Sequence, residues 1–363
     1  MNSSLAEMER RASAGDSAAQ IFLARQLGAA GRRQDAEAWL RRASDTGNVE
    51  AMVALAEHLL AGPAPANPAV LDEVRRLALS AAEAGNGPAA YLLARMLVSD
   101  ITSAKNWGTA LGYLARGAAA GYAPAQIELA FLAGETGVVN AVAQGQRVSP
   151  QIWDRLHGTI DSTAWTEKAP PIQVVSAAAP YIGVVENFIS PEICEWIIHW
   201  SRARLEPAKS YDNGRSVCNH MTVNPELDFI VTSVIHRIAA ITKVPTNGKE
   251  GTSVLRYLPG ENFEPHFDFL DPSNPALAAQ ILKTGQRVFT FIIYLRDDFE
   301  GGETYFPKAE YRFKGRKGDA VFFRNLTAEG VPDLKALHAG LAPIGGEKWV
   351  FVRVGTHIPA PVF

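Results

Sequence analysis

The chain is poor in cysteine, in net charge and in long apolar runs, and each shortage excludes something. Two cysteines in 363 residues, Cys194 and Cys218, cannot build a disulfide framework and fit a reducing compartment. A formal net charge of −3, from 35 basic and 38 acidic residues, gives no electrostatic reason to bind nucleic acid, and no basic run stands out. No uninterrupted apolar stretch approaches the ~18 residues of a membrane span. The opening Met1-Asn2-Ser3-Ser4-Leu5-Ala6-Glu7 lacks the basic start and apolar core of a signal peptide. A cytoplasmic protein with no nucleic-acid or membrane partner is the expectation. The composition, 47% hydrophobic and 20% charged, is that of a globular protein. The length allows two domains of about 100–200 residues each.

The first third is rich in alanine and repeats itself. Four segments carry Gly, then Ala four residues on, then Leu-Ala at eight and nine: Gly15/Ala19/Leu23-Ala24, Gly47/Ala51/Leu55-Ala56, Gly85/Ala89/Leu93-Ala94 and Gly121/Ala125/Leu129-Ala130. The glycines fall 32, 38 and 36 residues apart, the range of helical-hairpin solenoids. Glycine ends one helix and turns the chain; the alanines let the next helix approach, and the leucines share its buried face. The pattern resembles the Sel-one-like branch of tetratricopeptide-type repeats. An α/α solenoid is expected over residues 1–134, with Pro63, Pro65 and Pro68 making the second unit atypical. Stacking alone accounts for the Leu and Ala positions, and a solenoid also presents a surface on which a protein partner can dock.

Residues 135–175 lose the repeat and read as a connector with one short helix around 150–156. Tyr181–Phe188 reads as a strand. Ser190-Pro191-Glu192 begins a helix, with Ser190 as N-cap and Pro191 at the first helical position. From Ser253 onward, short β-rich runs alternate with Gly, Asp and Pro turns, the pattern of a double-sheet jelly roll.

One constellation carries chemistry. In His266-Phe267-Asp268, alternation along a strand would turn His266 and Asp268 to one face. His338, from a distant strand, would complete two imidazoles and one carboxylate on one side of a metal, leaving three positions open for O2 and an organic co-substrate, as at a non-haem Fe(II) centre. Lys348 supplies a cation for the far end of a dicarboxylate.

Around these residues lie six ordered blocks: Arg256-Tyr257-Leu258-Pro259-Gly260; Phe263-Glu264-Pro265-His266-Phe267-Asp268-Phe269; Gln286–Leu295; Gly301-Gly302-Glu303-Thr304-Tyr305-Phe306-Pro307; Lys317-Gly318-Asp319-Ala320-Val321-Phe322-Phe323; and His338-Ala339-Gly340 running to Gly346-Glu347-Lys348-Trp349. In order and spacing the set resembles the prolyl 4-hydroxylase family of 2-oxoglutarate- and Fe(II)-dependent oxygenases, over roughly residues 176–358. The resemblance implies a jelly-roll oxygenase domain over residues 176–363 that couples decarboxylation of 2-oxoglutarate, to succinate and CO2, to hydroxylation of an unactivated carbon. A prolyl residue of a peptide or protein is the leading substrate.

Carried over residue by residue, it implies His266, Asp268 and His338 as iron ligands. Lys348 would pair with the C5 carboxylate of 2-oxoglutarate, Tyr257 would bond the same carboxylate, Thr290 would line the co-substrate site, and Arg287 would lie at the substrate mouth. Fe(II) is the implied cofactor, 2-oxoglutarate and O2 the co-substrates, with a place for ascorbate. An intact Asp268 argues for hydroxylation over halogenation, which needs that coordination position for halide.

The chain departs from the family pattern at Val354, where a second tryptophan is usual, and at Thr356, where a histidine is common beside His357. Gly214-Arg215-Ser216 lacks the aromatic that often follows. These positions bear on the pocket rim and so on substrate identity. Two other readings stay open: a small-molecule or free amino-acid hydroxylase with the repeats as scaffold, and a non-catalytic binding module.

Overall fold

In the computed structural model, which describes residues 2–62, 67–98, 107–161, 170–177, 180–207, 219–223, 228–244 and 252–357, the chain divides into two compact units, Met1–Ser162 and Thr163–Phe363. Pro63, Pro65, Gly214-Arg215-Ser216 and Cys218 lie outside the described residues.

The first unit is built from helices: α1 (Asn2–Ser13), α2 (Ser17–Ala29), α3 (Arg33–Asp45), α4 (Val49–Leu60), α5 (Pro68–Glu83), α6 (Gly87–Val98), α7 (Trp107–Ala119), α8 (Ala123–Leu132), α9 (Thr136–Ala143) and α10 (Gln151–Thr159). The repeat glycines end α1, α3, α5 and α7 in the left-handed region, with φ of 97°, 82°, 84° and 83° at Gly15, Gly47, Gly85 and Gly121, where a Cβ would be strained. In three of the four turns the next residue caps the following helix. Side-chain oxygens of Asp16, Asn48 and Asn86 accept from the N–H groups of Ala19, Ala51 and Ala89 at 3.1, 2.9 and 2.9 Å, satisfying donors that a helix start leaves orphaned. The same alanines, and the Leu-Ala pairs that follow them, are buried throughout the four repeats. Helices α9 and α10 fall within the segment read as a connector.

The second unit carries the sheets. An eight-stranded antiparallel sheet runs in the order β1 (Gln173–Ser176), β2 (Ile182–Val185), β11 (Ala320–Arg324), β7 (Gln286–Tyr294), β14 (Lys348–His357), β5 (Thr252–Tyr257), β4 (Asn219–Val223), β3 (Glu206–Pro207). A four-stranded antiparallel sheet has the order β10 (Tyr311–Phe313), β9 (Thr304–Phe306), β12 (His338–Gly340), β6 (Phe263–His266), and β13 (Pro343–Ile344) pairs with β8 (Glu300–Gly301). Ile182, Val184, Ile292, Val321, Phe323 and Val350 of the large sheet meet Phe306 and Phe313 of the small one in a shared core. This is the jelly roll expected from the alternating pattern.

Alternation along β7 explains both of its faces. Ile292 and Tyr294 point between the sheets, while Phe291 packs outward on Phe188, ring centroids 4.8 Å apart. Behind β7 lies α11 (Pro191–Arg202), whose Cys194 Sγ comes within 4.0 Å of the Tyr294 carbonyl. Ser190 does occupy the N-cap position and Pro191 the first turn, but the Ser190 hydroxyl makes no capping bond. Asp228 does the equivalent for α12 (Phe229–Thr242): its carboxylate accepts from Val231 N–H at 2.8 Å and from Trp196 Nε1 at 3.0 Å, tying α12 to α11. A dozen buried core residues, apolar side chains contributing about 1.5–3 kcal/mol each, hold the two sheets together. Among the described residues no helix is long and apolar enough to cross a membrane.

Candidate active site

A cavity of about 150 Å³ in the second unit opens between the two sheets and is lined by residues from β5, β6, β7, β9, β12 and β14. At one place on its wall the ladder pairs His338 of β12 directly with His266 of β6, their ring centroids 4.3 Å apart. Asp268 lies just beyond β6, which ends at His266. Strand alternation therefore does not by itself place this carboxylate. It is held by β7: the Thr290 hydroxyl donates to Asp268 Oδ2 at 2.5 Å, and Arg287 Nη1 donates to the Asp268 backbone carbonyl at 3.1 Å. Gln286 grips the next turn, its Oε1 accepting from Leu270 N–H at 2.9 Å and its Nε2 donating to Leu270 O at 2.7 Å. The result sets His266 Nε2 3.4 Å from Asp268 Oδ1 and His338 Nε2 3.5 Å from Asp268 Oδ2. One ligand atom from each residue lies within 4.8 Å of the others, and among the described residues no other His, Cys, Asp and Glu group converges in this way.

The protonation of the cluster suits a divalent metal. His266 Nδ1 lies 2.8 Å from the Glu264 carbonyl and His338 Nδ1 3.1 Å from the Ala336 carbonyl. A carbonyl only accepts, so each Nδ1 carries a proton, and the ring in its neutral form presents the Nε2 lone pair to a metal. Burial, helped by the neighbouring His266, pushes His338 down to about 4, so it is neutral at pH 7. Burial would lower His266 as well, but the Asp268 carboxylate outweighs it and raises the ring. Burial would raise the Asp268 carboxyl, yet the two histidines and Thr290 hold it well below the usual carboxylate range. Two neutral imidazoles and one carboxylate are the states in which these groups ligate metal.

Further along the cavity lies a buried cation. Lys348 is 2% exposed. It starts β14 opposite Tyr257 of β5, and its Nζ stands 4.9 Å from the Tyr257 ring centroid and 5.4 Å from that of Tyr294. Gly340 makes room here. A Cβ on it would meet Tyr257 Oη at 3.3 Å and Lys348 Nζ at 3.6 Å. Gly340 follows His338 by two residues on β12, so the ammonium and the histidine pair face the same cavity along one strand of its wall.

Six of the seven candidate site residues named from the sequence line one cavity, and the seventh, Arg287, bonds the backbone of a residue that does. His266, Asp268, His338, Lys348, Tyr257 and Thr290 line it; Arg287 is half-buried on the Asp268 loop. The spacing pattern did not single out Asn325, which donates from Nδ2 to Thr290 Oγ1 at 3.0 Å, nor Thr304, whose hydroxyl is 3.0 Å from Tyr294 Oη on the cavity wall, nor Gln286. The available signal was a polar residue in an otherwise apolar run, as at Asn325 after Val321-Phe322-Phe323.

A family model described as the 2OG-Fe(II) oxygenase superfamily matches residues 252–353, the stretch that contains every residue of the cavity. Among curated proteins the chain is 34% identical over 195 residues to prolyl 4-hydroxylase 1 of Arabidopsis thaliana, an alignment spanning 47% of this chain and 67% of that protein. Among solved structures it is similar to the viral collagen prolyl hydroxylase of Paramecium Bursaria Chlorella virus-1 in its 2OG complex, at 22% identity and a TM-score of 0.40, covering 48% of this chain and 96% of that one. A sel1 repeat protein from Klebsiella pneumoniae subsp. pneumoniae matches at 26% identity and a TM-score of 0.30, covering 44% of this chain and 78% of that one. On the curated match, and on the superfamily model that falls on the strands building the cavity, the chain belongs to the prolyl 4-hydroxylase family of 2-oxoglutarate- and Fe(II)-dependent oxygenases.

Proposed function

We propose that the protein hydroxylates a prolyl residue of a peptide or protein. In this reading His266 Nε2, His338 Nε2 and an Asp268 carboxylate oxygen hold Fe(II), and Lys348 with Tyr257 receives the C5 carboxylate of 2-oxoglutarate. The observation that carries it is one cavity lined by both a metal-donor cluster and a buried lysine. When bound, the iron supplies the redox chemistry by which O2 and 2-oxoglutarate become succinate, CO2 and a hydroxylated substrate carbon. Everything else falls to the protein. Lys348 gives a charge-assisted hydrogen bond that fixes the far end of the co-substrate. The apolar walls formed by Leu255, Phe263, Ile292, Val350 and Val352 keep water from the reacting centre. The Nδ1 hydrogen bonds of both histidines fix the rings, so that no proton occupies the ligating nitrogens.

Arg287 stands beside the Asp268 loop at the rim, where a substrate backbone carbonyl could accept from its guanidinium. Ascorbate belongs to the same reading, as the reductant that returns oxidised iron to Fe(II). The helical unit would dock the protein substrate, and the scarcity of cysteine supports a cytoplasmic setting. The test is turnover of a proline-bearing peptide library with Fe(II), 2-oxoglutarate and O2. We expect succinate in step with the gain of one oxygen atom on proline. Turnover confined to free amino acids or other small molecules would replace this reading.

A further inference from the structure

Asp268 is the one member of the cluster that no strand ladder fixes, and two side chains in series hold its carboxylate. Asn325 Nδ2 lies 3.0 Å from Thr290 Oγ1, and Thr290 Oγ1 lies 2.5 Å from Asp268 Oδ2. Both Asn325 and Thr290 are buried, Asn325 entirely. Asn325 is in turn anchored by its backbone, its N–H donating to Val288 O and its carbonyl accepting from Asp333 N–H, both at 3.0 Å.

The direction of this chain follows from counting protons. A carboxylate only accepts and a hydroxyl has one proton, so Thr290 must give that proton to Asp268. The hydroxyl oxygen is then free to accept from the Asn325 amide. With the amide turned over, its oxygen would compete for the same proton, and Asp268 Oδ2 would face a lone pair at 2.5 Å. Only the order Asn325 to Thr290 to Asp268 gives each of the two contacts a donor and an acceptor, and it leaves Asn325 Oδ1 buried without a hydrogen-bond partner. Both carboxylate oxygens face the histidines, Oδ1 at 3.4 Å from His266 Nε2 and Oδ2 at 3.5 Å from His338 Nε2, and only Oδ2 also accepts the short hydrogen bond from Thr290.

We propose that Asn325, acting through the Thr290 hydroxyl, is a positioning residue that holds the Asp268 carboxylate against the Nε2 atoms of His266 and His338. No strand ladder fixes Asp268, so without the hydroxyl the carboxylate would rotate away from the donor set and the metal would be held less tightly. The proposal rests on the reading of His266, Asp268 and His338 as the metal set. It gives Thr290 a part played through Asp268, beside its place on the cavity wall.

The experiment is a Mn(II) titration of the full-length metal-free protein, following the spectrum of free Mn(II), so that no catalysis is needed. Residues that orient metal ligands typically contribute tenfold to a hundredfold in metal affinity, and Thr290→Val, which keeps the shape and removes the hydroxyl, should weaken Mn(II) binding by that factor. Thr290→Ser should restore it. Asn325→Leu should weaken binding in the native background but add nothing to Thr290→Val, because its effect passes through the missing hydroxyl. An unchanged Mn(II) affinity in Thr290→Val overturns the proposal, as does an Asn325→Leu effect that adds in full to it. Should Asn325→Leu fail to fold, the Val and Ser variants at 290 decide alone. Asp268→Ala serves as the control. Retained Mn(II) binding there would remove the metal set itself, an outcome distinct from failure of the relay.

Discussion

Lys348→Met isolates the charge of the buried lysine from its packing. The stem fills space between the sheets: a Cβ on Gly302 would already stand 3.5 Å from Lys348 Cδ, and the ammonium lies against two tyrosine rings. Methionine keeps most of that apolar stem while deleting the cation, so the cavity should neither collapse nor open. A hydrogen bond to a charged group contributes on the order of 1.5–3 kcal/mol, which converts at about 1.4 kcal/mol per decade into a loss of roughly tenfold to 150-fold in 2-oxoglutarate affinity. The assay is anaerobic calorimetric titration of the Mn(II)-loaded protein with 2-oxoglutarate, and in parallel with pyruvate. Pyruvate has the same 2-oxo acid end and no distal carboxylate, so its affinity should be the same for the native protein and the variant. Mn(II) affinity should also hold. Equal losses for the two acids would show that Lys348 shapes the cavity without holding the carboxylate, and no loss for either would move the anion site elsewhere.

Three further expectations concern other parts of the molecule. Asp268→Ala and His338→Ala should abolish coupled 2-oxoglutarate consumption while melting near the native temperature, because the core between the sheets is apolar; substantial turnover in either would reject the ligand assignment. Burial pushes the Glu347 carboxyl up, but hydrogen bonds from Arg256 and from Trp349 Nε1 win and hold it below its ordinary 4.5. A carboxyl depressed in the folded state contributes stability that is full above the unfolded value and fades as pH falls through the folded one. The native protein should therefore lose Tm more steeply than Glu347→Gln as pH drops from about 5 to about 3; parallel curves would show that the pair contributes nothing. If the helical unit docks the target, a truncated chain beginning at Thr163 should keep its kcat/KM on a short peptide and lose it on the whole protein, since remote binding energy orients the substrate; equal loss on both would leave the helices a bracing role.

Much of this protein could be read along the chain. The Gly, Ala and Leu-Ala recurrence is a local signal, because a left-handed turn, a close helix approach and a buried helix face each need a particular residue type within one turn of helix. The turn chemistry at Asp16, Asn48 and Asn86 was equally local and was passed over. His266, His338 and Lys348 were legible for a different reason. Each sits on a strand whose ladder partner faces the same cavity, so spacing in the sequence maps onto position along a sheet. Asp268 shows where that mapping fails: it lies two residues past the end of its strand, and alternation has no hold on it. Its carboxylate is placed by Thr290 and Arg287 of β7, and Thr290 by Asn325, 35 residues further along. Such contacts depend on which strands lie side by side, a choice made by burial of both sheet faces at once. The sequence carried the types of the ligating groups, and the pairing of β6, β7, β12 and β14 decided which atoms of those groups could meet.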